Sequence, residues 1–287
     1  MKVEQNVILD EKKKIIQVKD LSKVKPKKIS GTNFGVILGY NSFQSPFQAW
    51  CDMMKVFKKP YEESLAMKAG KAIEPLQIKY VKDKYNLTGL VTPEEKIGPN
   101  YFNRTHGDFF PMDEHFQGMW DCLNMDLQTG SLKSVVEMKT TKVKHMKNWQ
   151  KEIPFYYILQ VCLYAYLSTC DKAVIVASFL EDKDYENPNS FVPNEQNTII
   201  VPYTLNKDIP GFEENYIKPA ILWWNKHIVS GISPEYNEYD AGDCEIVKTI
   251  KKQLEESNQT QATPKKSSDS VKTIEINDII QEELPFY

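Results

Sequence analysis

The segment Trp120 to Lys139 constrains this chain more than any other. Trp120–Leu127 alternates loosely between apolar and polar residues, as a strand does, and Ser131–Lys139 is a second strand candidate containing the apolar pair Val135-Val136. Between them lie Gln128, Thr129 and Gly130. A three-residue hairpin loop ends on a residue in the left-handed conformation, and Gly130 stands at that position. With such a loop Asp121 falls opposite Glu137, on the same face; a two-residue loop would shift the pairing by one and put them on opposite faces. Glu137 and Lys139, two positions apart on one strand, also share a face. Two carboxylates and an ammonium so arranged can hold a hard divalent cation with a fixed positive charge beside it, a combination suited to cleaving a phosphodiester. A surface hairpin with solvated charges has the same spacing, and the spacing alone leaves both readings open.

Composition narrows the class. At 287 residues the chain can bury a substantial core in one large domain with a tail. No apolar run reaches transmembrane length and no signal peptide is recognised, so a cytoplasmic protein that avoids the membrane is expected. The five cysteines (Cys51, Cys122, Cys162, Cys170, Cys244) are scattered and contain no Cys-x-x-Cys, which argues against a disulfide framework, a zinc site or an iron–sulfur cluster. The formal net charge of −3 is divided unevenly: residues 231–287 hold 12 acidic and 6 basic residues, and residues 1–230 hold 27 and 30. A mildly basic body is compatible with a nucleic-acid partner.

Along the chain, residues 1–28 are lysine-rich and read as a solvated face. Residues 29–40 suggest a turn and a short helix. Ser45-Pro46-Phe47-Gln48 opens a helix reaching about Lys58, with Ser45 as cap and Pro46 in the first turn. Residues 62–85 form another helix, with a kink expected at Pro75. Residues 104–127 are mostly strand and loop. A helix spans about 155–169, strands cover 172–180 and 198–203, and a helix runs from Phe212 to Ile228. This order predicts an α/β fold with a mixed central sheet flanked by helices. From about Ser233 the periodicity dissolves, which places a domain at 1–232 and a flexible acidic tail at 233–287. The tail closes on Leu284-Pro285-Phe286-Tyr287, an apolar end suited to docking a partner.

With the hairpin's own residues included, four motifs stand in order: Gly70-x-x-x-Glu74, Gly118-Met-Trp-Asp121, Glu137-Met-Lys139 and Tyr157-x-x-Gln160. Gln160 stands among apolar and aromatic neighbours, where a buried amide needs a partner. Together, over about residues 25–180, the pattern resembles the YqaJ-type viral recombinase family, which includes lambda exonuclease. The resemblance implies a restriction-endonuclease-like PD-(D/E)XK core. It also implies a Mg²⁺-dependent 5′→3′ exonuclease that degrades one strand of linear double-stranded DNA and leaves 3′ overhangs for phage-type recombination by single-strand annealing. A trimeric ring threaded by the DNA, and a bacterial host cell with a phage or prophage origin, belong to the same implication.

By that resemblance Asp121 and Glu137 bind Mg²⁺ (two ions, with Mn²⁺ able to substitute), the Met138 carbonyl is a further oxygen ligand and Glu74 assists the second ion. Lys139 orients the attacking water and offsets charge on the phosphate, and Gln160 holds the water or the scissile phosphate. The family reads a 5′-phosphate through an arginine and a hydroxyl. Thr32 matches the hydroxyl, but the arginine position holds Lys25, with Lys27 and Lys28 adjacent, and Arg104 is the alternative guanidinium. The acidic tail with Leu-Pro-Phe resembles the tip of bacterial single-stranded-DNA-binding proteins, which implies docking of a recombination factor such as an annealing protein. Two other readings share the core: a restriction-like endonuclease, and an inactive DNA-binding scaffold. The first lacks a recognisable specificity domain here, and the second is disfavoured because Asp121, Glu137 and Lys139 are all retained.

Overall fold

Two kinds of hydrophobic pattern, β-branched runs and 3.6-residue stripes, alternate along the chain and assemble into one mixed sheet between helices. The computed structural model describes residues 2–4, 6–58, 62–242 and 245–262. The principal elements are α1 (Gly31–Ile37), α2 (Pro46–Met53), α3 (Leu65–Tyr85), β1 (Leu90–Val91), β2 (Cys122–Met125), β3 (Leu132–Lys142), α4 (Phe155–Leu167), β4 (Lys172–Leu180), β5 (Thr198–Thr204) and α5 (Ile246–Ala262). The sheet runs in the order β5-β4-β3-β2-β1. β3 and β4 are parallel, joined by α4 as the crossover, and the remaining pairs are antiparallel. This is the expected mixed α/β architecture.

The hairpin reaches its expected register by a different route. Cys122 pairs with Val136, Leu123 with Val135 and Asn124 with Ser134, but Met125 pairs with Leu132. Lys133 is therefore an extra residue, a bulge in β3. The connection is longer than three residues: Asp126 N donates to Ser131 O at 2.7 Å, and the Asp126 carboxylate accepts from the backbone of Gln128 and Thr129. Gly130 does adopt a positive φ, 71°. The longer turn and the bulge cancel, and the register beyond them is the one that brings Asp121 to Glu137.

Alternation along β3 and β4 divides the sheet into two faces. Val135, Ala173, Ile175, Ala177 and Phe179 pack in the larger core with α4, α1 and α2. Val136, Met138 and Val176 pack on the other face with Ile78 and Val81 of α3. α4 is buried along one continuous run from Ile158 to Ala165, so it is a central helix and not an amphipathic cover. It meets α1 at glycines. A Cβ on Gly31 would stand 2.5 Å from the Tyr164 hydroxyl, one on Gly35 would stand 2.6 Å from Tyr156 Cβ, and one on Gly118 would stand 2.3 Å from Tyr164 Cε1. These absent side chains let the Tyr164 ring lie between the start of α1 and the chain before β2.

Several boundaries differ from expectation. α2 stops at Met53 because Lys55 turns left-handed at φ 53°. α3 begins at Leu65, where Ser64 caps Met67 N, and Pro75 is accommodated inside it. Tyr101–Thr105 is a short helix. The lysine-rich segment is more than a solvated face: Val7–Asp10 and Ile15–Val18 pair antiparallel, and Val7, Ile16 and Val18 enter the core while Lys12, Lys13 and Lys14 stay outside. The domain boundary placed at 232 moves. Tyr236, Ile246, Val247 and Ile250 are buried in the same core, and Asp240 accepts from Ser45 Oγ at 2.8 Å, so α5 belongs to the body. Leu284, Pro285, Phe286 and Tyr287 lie outside the described residues. Among the described residues no helix is long and apolar enough to cross a membrane.

Candidate active site

The site is built where β2, β3, α3 and α4 converge, around a cleft of about 190 Å³ lined by Glu74, Gln77, Asp121, Glu137, Met138 and Lys139. Alternation turns Glu137 and Lys139 towards α4, where Gln160 waits. Lys139 Nζ donates to Glu137 Oε1 at 2.8 Å, and Gln160 Nε2 donates to that same oxygen at 2.5 Å. Glu137 is 3 % exposed, and its other oxygen, Oε2, is buried without a hydrogen-bond partner. Across the hairpin Asp121 Oδ2 accepts from Met138 N at 2.7 Å. That bond fixes the aspartate beside the strand that carries Glu137.

The electrostatics are those of crowded carboxylates. Burial, with the Asp121 charge second, pushes Glu137 up to about 8 against the pull of Lys139. Burial and then Asp121 push Glu74 up to about 7, again opposed by Lys139. Asp121 is raised by burial against the opposing effects of Lys139 and the Met138 N–H. Burial alone would lower Lys139, yet the Glu137 and Asp121 carboxylates outweigh it and hold the ammonium above its ordinary range. The ammonium also lies 5.0 Å from the Tyr157 ring centroid, a cation–π contact. Lys139 is thus held in its ammonium form, and the three crowded carboxyl groups favour a proton or another positive charge among them. Among the described residues no ready-made cage of three or more His, Cys, Asp and Glu side chains exists. The oxygens available to a cation are the unpartnered Glu137 Oε2 together with Asp121 and Glu74.

The sequence-expected residues divide into two groups. Asp121, Glu137, Met138, Lys139, Gln160 and Glu74 come together. The residues expected to hold a 5′-phosphate do not gather as a group. Thr32 is exposed in the first turn of α1, beside Gly31, where an added Cβ would stand 2.8 Å from Gln160 Cγ, and Lys25 is exposed. Lys28 is engaged elsewhere: its ammonium meets Asp108 at 2.7 Å and donates to the carbonyls of Phe110 and Asp113. Lys27 pairs with Asp52 at 2.9 Å. Arg104 donates to Ile97 O at 2.7 Å, closing the end of a short helix. These three cations hold the fold's own carboxylates and carbonyls.

Two residues escaped the sequence reading. The Tyr164 hydroxyl bonds the Gly31 N–H and the Gln160 side chain, and burial followed by the Glu137 and Asp121 charges raises its phenol. Its signal was available, since Gln160-x-x-x-Tyr164 places both on one helix face. Gln77, one turn beyond Glu74 on α3, is 1 % exposed and donates Nε2 to Lys139 O at 2.9 Å and to Ser178 Oγ at 2.9 Å. A lone glutamine among lysines and apolar residues gave no such signal.

Residues 20–171 match the model of the YqaJ-like viral recombinase domain. The uncharacterized protein MG373 of Mycoplasma genitalium is 27 % identical over 243 residues, covering 75 % of this chain and 85 % of its own. Its homolog in Mycoplasma pneumoniae is 27 % identical over 244 residues, with the same two shares. Among solved structures, an alkaline exonuclease from Laribacter hongkongensis is similar at 13 % identity and a TM-score of 0.47, over 70 % of this chain and 90 % of that one. A phage related exonuclease from Haemophilus somnus 129PT is similar at 14 % identity and a TM-score of 0.45, over 71 % and 96 %.

Proposed function

We propose that this chain, which belongs to the YqaJ-like viral recombinase family, is a divalent-metal-dependent nuclease that resects linear duplex DNA from its 5′ ends and leaves 3′ single-stranded overhangs for recombination by annealing. The observation that carries this reading is the double donation to Glu137 Oε1 from Lys139 and Gln160, with Oε2 left buried and unpartnered. A carboxylate held rigid on one oxygen and vacant on the other suits an ion held on few protein ligands. Mg²⁺ fits this donor set, because it takes one or two carboxylates and keeps several waters, so no closed protein cage is required. Asp121 and Glu137 are the assigned ligands, with the Met138 carbonyl as a further oxygen and Glu74 assisting a second ion. Bound there, the metal supplies Lewis acidity and a water of lowered pKa.

The chain's own groups do the remaining work. Lys139 places a fixed positive charge beside the phosphate and orients the attacking water. Gln160 holds Glu137 in the rotamer that presents Oε2. The raised carboxyls of Glu137 and Glu74 lose their protons when a cation takes their place, so binding releases protons. Lys25 and Thr32 are the candidates for the 5′-phosphate, since Lys27, Lys28 and Arg104 are bonded elsewhere. A trimeric ring and docking of an annealing protein by residues 284–287 complete the proposal.

The test incubates the protein with Mg²⁺ and a linear duplex labelled at each end, beside a closed circle. Loss of label from the 5′ ends with the circle intact is the expected result. A nicked or linearised circle would instead indicate an endonuclease, and no cleavage with Mg²⁺ or Mn²⁺ an inactive scaffold.

A further inference from the structure

Among the described residues two buried side-chain polar atoms lack a hydrogen-bond partner, Glu137 Oε2 and Gln77 Oε1, and both residues line the same cleft. An unpaired buried oxygen is costly, so each of these atoms needs a physical account. The other end of the Gln77 amide fixes its orientation. Nε2 donates to Lys139 O and to Ser178 Oγ, each at 2.9 Å, and reversing the amide would set its oxygen against the Lys139 carbonyl. Ser178 Oγ is in turn paired with Thr198 Oγ1 at 2.9 Å, so a buried polar chain runs from α3 across β4 to β5. Oε1 is therefore the end left over. Gln77 Oε1 is an amide oxygen and can only accept, and Glu137 Oε2 can ligate a cation once its carboxyl is ionised. A hydrated cation suits both; an anion does not.

Resting on the reading of this cleft as a metal-dependent site, we infer that Gln77 is a positioning residue whose Oε1 accepts a hydrogen bond from a water of the bound cation while its Nε2 clamps the backbone carbonyl of Lys139. One side chain then links the metal's hydration to the strand bearing Lys139. The helix that supplies Glu74 supplies this link one turn later, so a small shift of α3 on the sheet would disturb both together.

The test uses the full-length, DNA-free protein and Mn²⁺ alone, titrated calorimetrically. Gln77→Met keeps the length of the side chain and removes both polar ends. It is expected to weaken Mn²⁺ binding about tenfold, the scale of loss when a group that bonds a metal's ligands is removed. Glu137→Gln is expected to bind Mn²⁺ far more weakly still. If Glu137→Gln loses Mn²⁺ and Gln77→Met binds it within twofold of wild type, the inference about Gln77 is overturned and the metal site stands. If Glu137→Gln binds Mn²⁺ like wild type, the metal site itself fails, and Gln77's role with it. Gln77→Glu covers the case in which Gln77→Met does not fold. It keeps an oxygen at Oε1 and adds a charge the metal-free cleft resists, so the rise in thermal midpoint on adding Mn²⁺ must exceed the wild-type rise. An equal or smaller rise counts against the inference.

Discussion

Gln160 donates to Glu137 Oε1 at 2.5 Å, so the central carboxylate of the site is held by the crossover helix and not only by its neighbour on the strand. Removing that donor should act on the carboxylate rather than on DNA binding. Gln160→Leu is expected to lower kcat by about one to two orders of magnitude with KM little changed, the range for groups that set a metal ligand's orientation. Gln160→Glu should be worse than Gln160→Leu, because it sets a second carboxyl against the first. Steady-state kinetics on a linear duplex decide this, and a Glu variant more active than the Leu variant would count against the neutral donor.

Lys139 bonds Glu137 and lies over Tyr157, so its charge is fixed in place before substrate arrives. Lys139→Ala is expected to keep DNA affinity in a gel-shift assay and to lose about two or more orders of magnitude in cleavage rate, the scale of a single preorganised electrostatic donor. Equal losses in both would mark Lys139 as a structural residue.

The metal-free protein should lose stability as pH rises. Glu137 and Glu74 are raised from 4.5 to about 8 and about 7 in the folded chain, so between those limits the native state binds more protons than the unfolded state. Stability therefore falls as pH climbs from about 4.5 towards 8 and levels off above. Thermal melts in EDTA across that range check the sign, and Glu137→Gln should flatten the slope. A midpoint that rises over the same interval would refute the assignment.

Gly118→Ala should destabilise the fold, since its Cβ would stand 2.3 Å from Tyr164 Cε1. The expected cost is about 1–3 kcal/mol, typical of overpacking a filled core. Denaturant titration measures it. The double variant Gly118→Ala, Tyr164→Leu should recover part of the loss if the clash is the cause.

Deleting residues 270–287 is expected to leave nuclease activity intact and to abolish association with a single-strand annealing protein. A pull-down with the truncated and complete chains tests this, and unchanged association would remove the docking role.

The local chemistry of the site was legible in the sequence. Alternation put Glu137 and Lys139 on one face, Gly130 marked the turn, and Gln160 stood out as an amide among apolar neighbours. β4 and α4 were legible too, because a β-branched run and a helical stretch entered through Pro154 each declare one conformation. The register of Asp121 was reached although the turn is longer than expected, because the Lys133 bulge compensates for it. Bulges depend on tertiary packing, and nothing local announces them. The same holds for Lys28, which looked like a free phosphate binder and instead meets Asp108, eighty residues away in the chain. Gln77 shows the limit most clearly. Its amide matters because α3 crosses the sheet where it does, and a long-range contact of that kind has no local signature. The sequence by itself determined which groups the site holds and which strand presents them. Only the tertiary structure decided which oxygen of Glu137 is held and which is vacant, because that choice is made by donors arriving from other elements.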